Sequence, residues 1–169
     1  MVWLDSMRME HLWAPWRNTY ISKVSEPASL AEVFSRIAQS SNDDEHFVLL
    51  RAKSFFSLLN LYPYNLGHLM IVPYRATGNL EDLSEEEMLE MMQLTVRMKA
   101  ALTKAFSPHG FNVGLNLGSA AGAGISEHLH LHLVPRWRHD ANFMTAIADT
   151  RVHPGDLQNV YKKLKEALG

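Results

Sequence analysis

No cysteine occurs in the 169-residue chain, which removes disulfides, thiolate zinc sites, iron–sulfur clusters and cysteine nucleophiles together. Charge of one sign is also missing: 16 Lys and Arg stand against 18 Asp and Glu, a formal net charge of -2. No global basic field therefore draws the chain to a nucleic-acid polymer or an acidic membrane, and any polyanion it binds must be held by a local site. No apolar run approaches the roughly 18 residues of a membrane-spanning helix. The opening MVWLDSMRMEHLWAPWR is broken by charges and Pro15, so it lacks the apolar centre of a secretory signal. Hydrophobic residues at 47% and charged residues at 20% are ordinary for a globular chain, and the length suits one domain with an appended arm. A soluble, cytoplasmic protein is the expectation.

Residues 1–26 are irregular, with Trp3, Trp13, Trp16 and Tyr20 among arginines and Pro15. They read as an arm that packs on the domain or on a second subunit, or that brings Trp16, Arg17 or Tyr20 to a ligand. In 27–39, Leu30, Val33, Phe34 and Ile37 form a helical stripe, and the polar SSNDDE of 40–45 closes this N-terminal portion. We divide the chain accordingly into an arm with a short helix, 1–45, and a main domain, 46–169. HFVLLRA, SFFSLLNLY and HLMIVPY read as three strands, the last two joined by the turn residues of YPYNLG. Ser84 and Glu87 form a capping box, and Met88, Met91, Met92, Thr95, Val96, Met98 and Leu102 mark the apolar face of a long helix running to Phe106. FNVGLNLG, the loop SAAGAG and the strand EHLHLHLVP follow, and Leu157, Val160, Tyr161, Leu164 and Leu168 predict a final helix. Grouped strands with few intervening helices predict an α+β fold: a five-stranded, mainly antiparallel sheet with the 84–106 helix across one face.

His128, His130 and His132 alternate with Leu129, Leu131 and Leu133. Strand periodicity puts the imidazoles on one face and the leucines on the other. The leucines explain the strand's place in the sheet, and the imidazole row needs another reason. Four readings compete: solvated histidines, a metal site, a polyanion-binding module, and a phosphate-processing enzyme. Histidines on one strand face stand about 6.6 Å apart, and the outer two about 13 Å, too extended for all three to hold one ion. We favour the enzyme, in which a central imidazole attacks phosphorus while its neighbours stabilise charge or handle a proton.

LWAPWR, NLYPYNLGHLMIVPYR (60–75), GFNVGLNLGSAAGAG, HLHLHLV and PRW, in this order, resemble the histidine triad (HIT) superfamily over about residues 10–168. The likeness is greatest to the bacterial branch that includes diadenosine tetraphosphate phosphorylases. The resemblance implies that His130 is the nucleophile of a nucleotidyl-histidine intermediate and that His128 and His132 hydrogen-bond the phosphate and assist the leaving group. It further implies that His68 supports the triad from a neighbouring strand, that Asn60 contacts the ribose, and that Asn116 and the loop Gly122, Ala123, Gly124, Ile125 and Ser126 wrap the phosphates. Small residues there expose backbone N–H groups suited to an anion nest. The implied reaction is cleavage of a dinucleoside polyphosphate by water or by inorganic phosphate. No resident metal is required, although magnesium can accompany the substrate's phosphates, and a homodimer is expected. Gly124 departs from the glutamine or serine of other branches, and the cysteine pair that binds structural zinc in many relatives is missing. The alternatives are a nucleoside phosphoramidate hydrolase and a non-catalytic purine-nucleotide-binding module.

Overall fold

The computed structural model describes residues 32–138, 140 and 156–169. The aromatic arm with Trp16, Arg17 and Tyr20 lies outside the described residues, as does Leu30 of the expected helical stripe. Five strands form one sheet: β1 (Val48–Arg51), β2 (Phe55–Leu59), β3 (Leu69–Pro73), β4 (Gly110–Leu115) and β5 (Leu131–Arg136). Their order is β1-β2-β3-β5-β4, and every neighbouring pair is antiparallel. The expected α+β architecture is therefore the one observed, with β2 and β3 forming the expected hairpin from Phe55↔Pro73 to Leu59↔Leu69.

The two-residue period sorts the sheet into two apolar faces. Phe55, Leu59, Leu69, Ile71, Leu131 and Leu133 point to one side, where they meet helices α2 (Glu85–Phe106) and α3 (Leu157–Leu168) through Met91, Leu94, Met98, Leu102, Val160 and Leu164. Phe56, Leu58, Met70 and Val72 point to the other side and pack against Phe34 and Ile37 of helix α1 (Val33–Gln39). His68, His128, His130 and His132 lie on this second face, two of them against Phe34.

Helix α2 starts where its capping box says. Glu87 donates its amide to Ser84 Oγ at 3.2 Å, and the Ser84 amide donates to the Glu87 carboxylate at 2.9 Å. Glu85, Glu86 and Glu87 place negative charge at the positive end of the helix dipole. Its buried face is narrower than the sequence pattern suggested. Met91, Leu94, Thr95, Met98, Ala101 and Leu102 are buried, whereas Met88, Met92 and Val96 are exposed. A helix lying on a sheet covers one stripe, and residues about 100° around from it stay in water.

Helix α1 is tied down by more than its apolar face. The Arg51 guanidinium donates to the carbonyls of Ile37, Ala38 and Ser40 at 3.0, 3.2 and 2.8 Å, and pairs with Asp43 at 2.8 Å. The Ile37 carbonyl also accepts the Ser40 amide at 3.2 Å, whereas those of Ala38 and Ser40 lie past the last intrahelical donor, and a cation there also suits the dipole. Arg51→Ala is expected to cost about 1–3 kcal/mol through the orphaned carbonyls, and Arg51→Lys less. Thermal denaturation of both variants checks this, and unchanged midpoints would refute the clamp.

Candidate active site

Only the last of the three alternating histidines lies in the hydrogen-bonded ladder, which corrects the expectation of a strand over the whole of EHLHLHLVP. Strand β5 begins at Leu131, where the register runs Ile71↔Leu131, Met70↔His132 and Leu69↔Leu133. Extended two residues further it would set Pro73 opposite Leu129, and proline has no N–H to contribute. The chain compensates with other partners: His128 donates its Nε2–H to the Pro73 carbonyl at 2.8 Å, and the Leu129 amide donates to the Thr77 carbonyl at 2.6 Å. Side-chain alternation survives the end of the ladder. Leu129, Leu131 and Leu133 enter the main core, and the His130 and His132 ring centroids lie 4.9 Å apart on the opposite face.

The hydrogen bonds set His130 apart from the other three imidazoles by its tautomer. His130 donates Nδ1–H to the His128 carbonyl at 2.8 Å, so its Nε2 carries the bare lone pair that a nucleophile needs. The Tyr64 amide donates to His68 Nδ1 at 3.0 Å, so the proton of neutral His68 sits on Nε2. That N–H reaches His132 Nδ1 at 2.9 Å, leaving neutral His132 with its proton on Nε2. Two buried ring atoms, His128 Nδ1 and His132 Nε2, have no hydrogen-bond partner among the described residues. One is an acceptor and the other a donor, and they belong to the rings on either side of His130 in the chain. Buried polar atoms of this kind cost about 1–3 kcal/mol each when left unpaired, which marks a place a polar ligand would fill.

Burial is deep: His68 is 0%, His128 1% and His130 8% exposed. The Phe34 ring covers His128 at 5.3 Å and His130 at 5.4 Å between centroids, and Tyr64 stacks on His68 at 4.9 Å. Desolvation holds His128 and His130 below the ordinary histidine range, and it lowers His132 to about 4, with the neighbouring His130 adding to the effect. His130 is therefore neutral, and competent to attack, to a greater extent than a free histidine at the same pH. The midpoint of the acid decline in single-turnover rate is expected below 6.5. The same depression destabilises the fold in acid, because the unfolded chain takes up protons between about 6.5 and about 4 that buried His132 refuses. A rate already halved at pH 6.5 in protein that circular dichroism shows to be folded would contradict this.

The remaining expected site residues fall around this row. Asn60 directly follows β2 and brings its amide within 3.4 Å of His68 Nδ1, while its Oδ1 accepts the Tyr62 amide at 2.9 Å. Asn116 directly follows β4, two residues past the Gly114 that pairs with His132. In the loop between β4 and β5, Gly122 and Ala123 do not offer the free amides expected of them. The Gly122 and Ala123 amides turn inward to the Ser119 and Gly118 carbonyls, because a 3-10 turn, Ser119–Ala121, occupies that stretch. The amides of Gly124, Ile125, Ser126, Glu127 and His128 donate to no protein acceptor among the described residues. Gly124 and Ser126 are exposed, and Ile125 packs on the α1 side of the sheet.

Three contributors escaped the sequence reading of the site: Phe34, Tyr64 and Thr77. Phe34 and Tyr64 were visible only as a helix-stripe residue and a turn residue, and nothing local distinguished Thr77.

The HIT domain family matches residues 41–139. The chain is 44% identical over 163 residues to a Mycobacterium tuberculosis protein named AP-4-A phosphorylase, covering 93% of this chain and 83% of that one. It is 28% identical over 115 residues to the asymmetrical bis(5'-nucleosyl)-tetraphosphatase of Schizosaccharomyces pombe, covering 68% and 63% respectively. Among solved structures, a zinc-bound histidine triad family protein from Mycobacterium smegmatis aligns with a TM-score of 0.66 at 26% identity, covering 80% of this chain and 91% of that one.

Proposed function

This chain belongs to the HIT family, and on that premise we propose that it cleaves dinucleoside polyphosphates, diadenosine tetraphosphate among them, through a nucleotide covalently held on His130. The observation that carries the reading is the pinned tautomer of His130, whose Nδ1–H is bound to the His128 carbonyl while two orphaned imidazole atoms belong to its neighbours. His130 Nε2 attacks the α-phosphorus, the phosphoanhydride P–O bond breaks, and the bond electrons leave on the departing nucleoside polyphosphate. His132, with its Nε2–H fixed through His68 and the Tyr64 amide, hydrogen-bonds the phosphoryl or departing oxygen. His128 Nδ1, an acceptor, takes a hydrogen bond from the incoming water or hydrogen phosphate in the second step. That step breaks the P–N bond and restores neutral His130. The free amides of Gly124 to His128 hold the phosphate chain, with Asn116 beside them and Asn60 at the ribose.

No resident metal is part of this scheme. His68 and His132 spend facing nitrogens on each other, which leaves neither of the two facing atoms for an ion. Magnesium enters only with the substrate's phosphates. No helix among the described residues is long and apolar enough to cross a membrane, and with no cysteine in the chain we assign the protein to the cytoplasm.

We also propose a homodimer. Leu89, Met92 and Val96 are exposed along one side of α2, and Val113 and Leu117 are exposed on and just after the edge strand β4. Lys99, one turn beyond Val96, lies over the Phe111 ring of β4 at 5.3 Å, so the two exposed sets adjoin. A patch of this kind next to an open strand edge is a self-association surface.

The test is product analysis with diadenosine tetraphosphate, with and without inorganic phosphate, together with mass spectrometry of the quenched enzyme. ADP and ATP formed with phosphate identify phosphorolysis, and AMP and ATP identify hydrolysis. No cleavage, or cleavage without an adduct at His130, overturns the scheme.

A further inference from the structure

The segment after β3 does not turn away from the site but runs beside the start of the histidine row. The Pro73 carbonyl at the end of β3 takes the His128 Nε2–H, and the Thr77 carbonyl of the segment takes the Leu129 amide. Gly78 then comes so close to the preceding loop that a Cβ on it would sit 2.4 Å from the Ser126 carbonyl oxygen and 3.3 Å from Glu127 Cα. Both neighbours are backbone, so neither can swing aside as a side chain would.

The segment itself is braced from behind. Buried Thr77 hydrogen-bonds the Asp82 carboxylate through its hydroxyl. Arg75 donates to the Asp82 carbonyl and pairs with Glu87 at the start of α2, both at 2.9 Å. The stretch whose amides lack protein acceptors, Gly124 to His128, therefore rests at Ser126 and Glu127 on a support anchored to a long helix.

We propose that Gly78 is a positioning residue for the phosphate chain of the nucleotide: its missing side chain lets the 126–127 backbone settle where the free amides of 124–128 converge on phosphate. The proposal rests on the reading of that loop as the phosphate site. It assigns Gly78 no contact with substrate. A methyl group at this position must displace the Ser126 carbonyl by about 1 Å, and Glu127 by a few tenths of that, to reach ordinary van der Waals distance, and hydrogen bonds to an anion do not survive misplacement on that scale. The nucleoside part of the ligand, held elsewhere, should not notice.

The experiment compares binding of adenosine and of α,β-methylene-ATP, whose P–C–P link resists cleavage, to the full-length protein and to Gly78→Ala. The wild type is expected to prefer the methylene analogue. Gly78→Ala is expected to weaken the analogue by roughly tenfold or more while adenosine stays within about twofold. Thr77→Val adds no bulk but removes the bond to Asp82, and is expected to weaken the analogue by a smaller factor with adenosine again unchanged. This second variant carries the test if Gly78→Ala does not fold. Equal losses for both ligands, or a folded variant with wild-type affinity for the analogue, overturn the positioning role. A wild type that does not distinguish the analogue from adenosine overturns the phosphate reading itself, and Gly78's role with it.

Discussion

His130→Ala should abolish turnover, with kcat reduced by a factor on the order of 10³ or more, while nucleotide affinity stays within about tenfold. The expectation follows from the ring's wiring. Its Nδ1–H is committed to the His128 carbonyl, and burial keeps the ring neutral, so its Nε2 is available as a nucleophile. Alanine removes that nitrogen and leaves the loop amides and the other imidazoles in place. The loss should therefore appear in kcat, since the missing interaction is a bond made during reaction and not a contact made in binding. Steady-state kinetics with calorimetric binding checks both halves. A variant that retains near-normal kcat would falsify covalent catalysis at this residue.

The second large effect falls on stability and leaves chemistry alone. Leu133→Ala should destabilise the fold by about 2–5 kcal/mol, seen as a lower urea midpoint, with kcat below the new melting temperature within about threefold of wild type. Leu133 is fully buried in the main core, paired with Leu69 on one side and Val113 on the other. It adjoins His132 in sequence but points to the opposite face of the sheet. Truncation opens a cavity toward α2 and α3 and does not touch the His68–His132 contact, which the Tyr64 amide and the turn before His68 maintain. A stable variant with lost activity would show that the two faces of β5 do not act independently.

These two expectations divide along the alternation of HLHLHLV, the most legible feature of the chain. Period two in a strand is a local property, dictated by backbone geometry, and so the sequence alone separates a leucine face from a histidine face. The same locality made the α2 capping box, the β2–β3 hairpin and the apolar stripe of α3 readable. It failed where two elements must meet. Met88, Met92 and Val96 satisfy a helical pattern yet lie in water, because the width of the buried stripe depends on what covers the helix. The ladder's end at Leu131 depends on Pro73, which lies 58 residues away from it in sequence.

The sequence by itself determined the fold class, the strand order along the chain, the alternation that sets the histidines on one face, and the family. The tertiary structure alone decided how those histidines differ. Tautomer, charge state and reach depend on which backbone group sits within about 3 Å of each ring nitrogen. For His68 that group is the Tyr64 amide, for His128 the Pro73 carbonyl, and for His130 the His128 carbonyl. Likewise, Gly78 is one glycine among nine until the fold brings it against the Ser126 carbonyl. Close approach between segments distant in sequence leaves no periodic trace, since it constrains a single residue and follows from the packing of the whole chain.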